Sequence, residues 1–276
     1  MKKKMMARAE RLWGEGLLLF VLRLVQLNNG FDPDTGLALS GSGVGPLAGH
    51  GVWIGLLLCF AADLFLCFRR PGGGKRSYAC CFSPLEGGPA LGALTAGSFL
   101  LIAGGALLLA GALPPQGTVA VTTAAAGVLG AAGGAGLLLL ARELRSGDVP
   151  SAFPLLPAMF FSVLFLLAVY FPEESNPVLA RFWLPVLAAA MAAYFLYQLS
   201  GFFHGEGNLR WFGLAGELAV ATCIASSADC LRSPGRLLVY LGFAVTATVF
   251  LLLLREEPLP EPVEPEEKAE EEAGNP

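Results

Sequence analysis

The chain has 276 residues, 55% of them hydrophobic and only 14% charged, with a mean hydropathy of +0.62. A soluble domain carries roughly 25% charged residues, so this composition excludes a water-soluble globule with an ordinary polar coat. No basic, aromatic-studded stretch marks a nucleic-acid binder. The net charge of −4 divides unevenly: residues 255–276 hold nine Glu against one Arg and one Lys, which leaves residues 1–254 with a balance of +3.

The N-terminus is basic from Met1 to Arg11 and turns apolar at Gly16. No A-x-A-like cleavage site follows the run, which ends in Gln26-Leu27-Asn28-Asn29, so it reads as a retained segment. A helix crosses the hydrocarbon core with roughly 17–25 mostly apolar residues. Eight stretches meet that length: 12–28, 51–68, 91–113, 118–141, 152–171, 178–200, 211–231 and 237–254. The expected fold is all-α, a polytopic transmembrane bundle over residues 1–254 with about eight spans. The alternative is seven, because the first stretch is short, contains Glu15 and Arg23, and would lie in the membrane interface. Pro71-Gly-Gly-Gly74, Pro114-Pro115, Pro172 and Ser233-Pro-Gly235 punctuate the joins. Asp32-Pro-Asp-Thr-Gly36 reads as a tight turn and lacks the acidic ligands of a calcium loop.

Lys and Arg in short loops set orientation. With eight spans and the N-terminus inside, 14 of the 18 basic residues fall on the cytoplasmic side. They are Lys2, Lys3, Lys4, Arg8, Arg11, Arg69, Arg70, Lys75, Arg76, Arg142, Arg145, Arg210, Arg255 and Lys268; Arg181, Arg232 and Arg236 fall opposite. Both termini are therefore expected in the cytoplasm, in a bacterial cell membrane. Residues 255–276, rich in Pro and Glu, are expected to form a disordered acidic cytoplasmic tail, either simply solvated or a docking site for a protein partner.

The third and fourth stretches are full of small residues. Gly130-x-x-x-Gly134, preceded by Ala126, lets helix backbones approach, and the expected use is packing inside the bundle rather than a dimer interface. No repeat relates the first four stretches to the last four, which argues against an inverted-repeat transporter.

Four charged residues fall in or near the apolar stretches: Arg23, Asp63, Arg181 and Glu217. An ionisable group at mid-membrane costs about 2.5–3.5 kcal/mol on insertion scales. Arg23 and Arg181 are expected to snorkel to an interface and help set topology. Asp63 and Glu217 have short side chains, and counting at the helical rise places them at similar depth, roughly 7.5 and 9 Å below the cytoplasmic boundary. Small residues flank both: Gly55, Cys59 and Cys67 on one stretch, Gly213 and Ala221 on the other. With Tyr194 and Gln198 on the sixth stretch they form a candidate intramembrane polar site, set against a bland reading as unrelated helix-to-helix hydrogen bonds. Two such carboxylates in low dielectric either share a proton or hold a cation between them.

Enzyme templates are missing: there is no H-E-x-x-H and no G-x-S-x-G. The two His, His50 and His204, lie on opposite sides in this topology. The six Cys lack C-x-x-C spacing. No cofactor, no metal and no nucleic-acid partner is expected, and the oligomeric state is not legible. Leu22-Arg-Leu-Val-Gln-Leu followed by Phe31-Asp-Pro-Asp-Thr-Gly-Leu37 resembles the opening of a family of uncharacterised bacterial multi-spanning membrane proteins, in which a short first helix runs into a D-T-G-L turn. The likeness covers residues 22–37 and implies no activity. Two functional classes follow: a small-solute or ion permease using Asp63 and Glu217, or a non-catalytic scaffold or regulatory protein acting through its small-residue helices and tail.

Overall fold

A computed structural model describes residues 2–32, 37–39, 43–69, 74–84, 88–114, 117–146, 150–173 and 178–255. The acidic tail beyond Arg255, most of the Asp32–Gly36 turn and residues 71–73 lie outside the described residues. The helices are α1 Lys2–Asn29, α2 Val44–Arg69, the short α3 Tyr78–Cys81, α4 Pro89–Gly111, α5 Gly117–Ser146, α6 Leu156–Tyr170, α7 Leu179–Phe203, α8 Leu209–Ser226 and α9 Pro234–Leu253. A 3-10 turn at Phe153–Leu155 leads into α6. No strand occurs among the described residues, only three isolated bridges. Each of the eight predicted stretches falls on a helix.

Six segments are long and apolar enough to cross a membrane: α2, α4, α5, Phe153–Tyr170, α7 and α9. The outward face of α2 shows why. Trp53, Ile54, Leu57, Leu58, Phe65 and Phe68 are each at least half exposed, a surface that water would not tolerate and lipid would. These helices point to a membrane-embedded protein. α1 and α8 stand outside the six. α1 carries Arg8, Glu10, Arg11, Glu15 and Arg23, and α8 has 18 residues with Arg210 and Glu217 among them.

Local chemistry sets the ends. α4 and α9 begin with Pro, whose missing N–H is an orphan of the first turn in any case. Asn208 caps α8 by accepting from the amides of Arg210 (3.0 Å) and Trp211 (3.3 Å). α8 is the centre of the bundle: from Phe212 to Ala228 every residue except Leu218 is buried. It packs on α1, α2, α7 and α9, while α4 packs between α5 and α9 and α6 joins α5 to α7.

Glycine decides how closely α4 approaches its neighbours. A Cβ on Gly105 would stand 2.6 Å from the Ala131 amide nitrogen and 2.7 Å from the Gly127 carbonyl oxygen of α5. One on Gly134 would meet the Ser98 carbonyl oxygen and Ile102, both at 2.6 Å, and one on Gly130 would meet Phe161 of α6 at 3.0 Å. Gly130 and Gly134 thus sit inside the bundle, against α4 and α6. On the other side of α4, Gly97 and Gly104 face Gly242 and Gly235 of α9, two pairs of glycines each seven residues apart. Such contacts give dispersion that lipid does not replace.

The loop between α2 and α4 closes one end of the bundle. Phe82 stands edge-on to Phe202, Phe212 and Phe250, and Tyr78 stacks on Phe82 and Phe203. Burial pushes the Tyr78 phenol up, and its hydroxyl finds no hydrogen-bond partner among the described residues. The Ser83 amide donates to Leu253 and the Arg255 amide to Cys81, both at 2.8 Å, so the start of the tail is pinned to this loop.

Candidate functional site

Asp63 and Glu217, on separate helices and 154 positions apart in sequence, come together. Their side chains are fully buried, and both lie against the Arg11 guanidinium. What joins them is α1. Arg8, Arg11 and Glu15 fall on one face of that helix at spacings of three and four. Arg11 Nη1 donates to Asp63 Oδ1 at 3.2 Å, and its Nη2 lies 3.4 Å from Glu217 Oε2. Arg8 Nη2 donates to Glu217 Oε1 at 2.8 Å, and its Nη1 donates to the Leu251 carbonyl at 2.8 Å. Leu251 is in the last turn of α9, where carbonyls lack intrahelical partners and the helix end carries partial negative charge. Arg8 therefore caps α9 with one arm and holds Glu217 with the other.

Exposure grades the cluster. Arg8, Arg11 and Glu15 keep 25%, 31% and 23% of their side-chain surface open, while Asp63 and Glu217 keep none. Glu15 Oε1 is 3.8 Å from Arg11. Asp63 Oδ2 and Glu15 Oε2 are sealed away with no hydrogen-bond partner among the described residues. Among those residues the cluster holds three carboxyl groups and two guanidinium groups. Read from sequence, Arg8 and Arg11 are topology-setting charges in the cytoplasm. That reading misses their role here, which the α1 spacing of Arg8, Arg11 and Glu15 carries.

Tyr194 and Gln198 do not join the site. Tyr194 lies on the exposed side of α7 and stacks on Tyr197. Gln198 is half-buried, and neither residue hydrogen-bonds to Asp63 or Glu217. Among the neighbouring loop groups, Glu206 pairs with Lys75 and His204 Nδ1 contacts the Ser200 carbonyl at 2.9 Å.

Arg23 corrects a second expectation. It does not snorkel: it is wholly buried, and all five of its N–H groups are used. Nε donates to Asp229 Oδ2 (3.0 Å), and Nη2 donates to Asp229 Oδ1 (2.6 Å) and the Arg181 carbonyl (2.7 Å). Nη1 donates to Gln26 Oε1 (2.8 Å) and the Ala180 carbonyl (2.9 Å). The reason is Pro185 inside α7. Pro has no N–H, so the carbonyl four residues earlier, that of Arg181, loses its helical donor, and Arg23 supplies one. The Arg181 side chain itself is exposed.

Among the described residues no group of three or more His, Cys, Asp or Glu is arranged to hold a metal ion. No family model, curated protein or solved structure matches the chain.

Proposed function

We propose that the chain is an eight-span protein of a bacterial cytoplasmic membrane with both termini inside, and that it works as a small-solute or ion permease whose coupling groups are Asp63 and Glu217. The observation that carries this reading is the pair itself: two fully buried carboxylates from α2 and α8 meet beneath arginines that remain in contact with solvent. Buried ionisable groups in a membrane bundle mark ion and substrate pathways by default. α1 counts as a span because Arg23, within its apolar part, and Arg8 and Arg11, before it, turn into the bundle. Likewise the charge of Glu217 in α8 is met by Arg8 and Arg11.

The rival reading is a non-catalytic scaffold or regulatory protein. One observation favours it: the glycine-sealed contacts of α4 with α5 and α9. Proteoliposomes on a solid-supported membrane separate the readings. Concentration jumps of amino acids, sugars, organic acids and alkali cations should give a current for at least one class, lost in Asp63→Asn and in Glu217→Gln. Silence to every class would leave the scaffold. Orientation is tested in intact cells: an impermeant thiol reagent should label a cysteine placed at Ser40 and leave one at Glu270 unlabelled, and labelling at 270 would overturn it.

A further inference from the structure

We infer that a cavity between the end of α4 and the starts of α5 and α9 seats the headgroup of an anionic phospholipid, with Arg232 and Arg236 holding the phosphate. The inference rests on the membrane-embedded fold and is independent of the permease reading. The cavity has a volume of about 370 Å³, toward the lower end of the roughly 300–1,000 Å³ of small-ligand pockets. That gives room for a headgroup, with acyl chains left outside. Leu107 and Gly111 of α4, Thr123 of α5, and Arg232, Ser233 and Arg236 around the start of α9 line it. It lies at the end of α4 and α9 opposite the Phe82–Leu254 bridge.

Charge says what fits. Arg232 is exposed, and among the described residues nothing accepts its guanidinium N–H groups. Arg236 is half-buried, and its one contact, Nη2 to the Ala168 carbonyl of α6, is 3.4 Å long. Asp229, the acid nearest in sequence, is held by Arg23. The side chains of Glu173 and Glu174, which follow α6, lie outside the described residues. The Ser233 hydroxyl does not cap α9, and buried Gly235, also on the cavity wall, has no backbone acceptor for its amide. The wall thus offers donors and positive charge. A guanidinium meets two oxygens of a phosphate through parallel N–H···O bonds. A phosphate diester brings one negative charge to two arginines, so a headgroup that adds a cation, such as choline, is disfavoured by like-charge repulsion.

Position selects a lipid over a soluble phosphate. α5 has 30 residues, about 45 Å at the helical rise, against a hydrocarbon core of about 30 Å. Centred in the bilayer, it projects roughly 7.5 Å beyond the core at each end. Thr123 stands roughly 9 Å from the start of α5, close to the core edge and just below the layer that lipid phosphates occupy. On the same ends of α4 and α5, Leu107, Leu113, Val119 and Val121 are exposed, an apolar surface along which acyl chains lie. Basic pockets between membrane helices take phospholipid headgroups in this way.

The test uses the full chain in nanodiscs of phosphatidylcholine, with or without phosphatidylglycerol, and phenylglyoxal, which modifies accessible guanidinium groups. Peptide mapping should find Arg232 and Arg236 modified in phosphatidylcholine alone and protected by phosphatidylglycerol. Arg181, exposed at the start of α7 and outside the cavity wall, should be modified in both. Glycerol phosphate added to the phosphatidylcholine discs should protect neither cavity arginine. In native mass spectrometry, Arg236→Gln should weaken phosphatidylglycerol binding roughly tenfold, the loss of one charge-assisted hydrogen bond, and Arg181→Gln should bind as the parent does. Protection by glycerol phosphate would assign the cavity to a soluble phosphate. Protection already present in phosphatidylcholine alone would mean that a carboxylate of the chain or a zwitterionic lipid fills it. Equal protection of all three arginines would report only the surface charge of the membrane. Each of these outcomes overturns the inference. The peptide map is made on the parent chain, so a variant that fails to fold does not blunt it.

Discussion

The bundle buries arginine chemistry at two places, and they are solved in opposite ways. At Arg23 the donors decide the arrangement: five N–H groups meet one carboxylate, one amide and two backbone carbonyls, and nothing is left over. Around Asp63, among the described residues, three carboxyl groups meet Arg8 and Arg11, and Asp63 Oδ2 and Glu15 Oε2 are buried without a donor. The first site is closed to solvent at its arginine, whereas the second keeps its arginines partly wet. A saturated buried ion pair has one stable protonation state and one geometry, which suits a joint. A site with surplus acceptors and a wet rim has a state to gain and lose, which suits exchange. The lesson is that burial of charge alone does not mark function; the balance of donors and acceptors does.

The sharpest way to break this contrast is to cut the Arg23 joint. Arg23→Ala leaves Asp229 with its charge and few donors, and returns the Arg181 carbonyl to its orphaned state below Pro185. Removing one partner of a buried pair costs about 3–5 kcal/mol. Thermal unfolding of the solubilised protein should show a large fall in midpoint or a loss of folded yield. A variant as stable as the parent would mean that α1 is not anchored there. Asp229→Asn should also be costly, because an amide presents one acceptor where Arg23 uses two oxygens.

A smaller effect is expected where no charge is involved. Gly105→Val would push a branched side chain into the backbone of α5, where Ala131 and Gly127 cannot retreat. Overpacking of this kind costs about 1–3 kcal/mol. At Gly92, also on α4, an added Cβ would have nothing within 4 Å of it. Gly92→Ala should therefore leave stability unchanged or raise it by about 0.5–1 kcal/mol through the helical interior. Equal losses in the two variants, read by unfolding midpoint, would show that α4 is not sealed by its glycines.

The helices are legible in the sequence, because a run of about twenty apolar residues has one workable structure in lipid. The depth of Asp63 and Glu217 follows from counting residues at a fixed rise. The meeting of α2 with α8 takes shape only in three dimensions. Arg8 and Arg11 read as topology-setting because basic residues before an apolar run usually face the cytoplasm; the signal for their contact with the carboxylates is their register with Glu15, three and four positions apart. Asp229 reads as part of an apolar stretch. Its link to Arg23 has a readable cue in Pro185, which frees a carbonyl that some donor must meet. Tyr194 fits the site on depth alone, but depth does not fix the side of a helix, and its ring lies on the exposed side.

The smallest effect expected is also the one that separates the two sites most cleanly. Asp63→Asn removes a charge from a cluster that, among the described residues, holds three carboxyl groups and two guanidinium groups. The amide keeps an oxygen for Arg11 Nη1. The change in unfolding free energy should be about 1 kcal/mol or less, the scale of one net hydrogen bond. Arg11→Gln should cost more than Asp63→Asn, since it takes the donor from Asp63 Oδ1 and the nearby positive charge from Glu217 Oε2, although the open part of Arg11 softens the loss through solvent screening. The decisive quantity is the difference between two chemically identical changes, Asp63→Asn and Asp229→Asn, measured under the same conditions. If the donor–acceptor argument holds, the second is clearly the more damaging. If the two cost the same, Asp63 is as fixed a part of its ion pair as Asp229 is, the surplus acceptor has no role in exchange, and the carboxylate pair becomes one more packing contact of a scaffold.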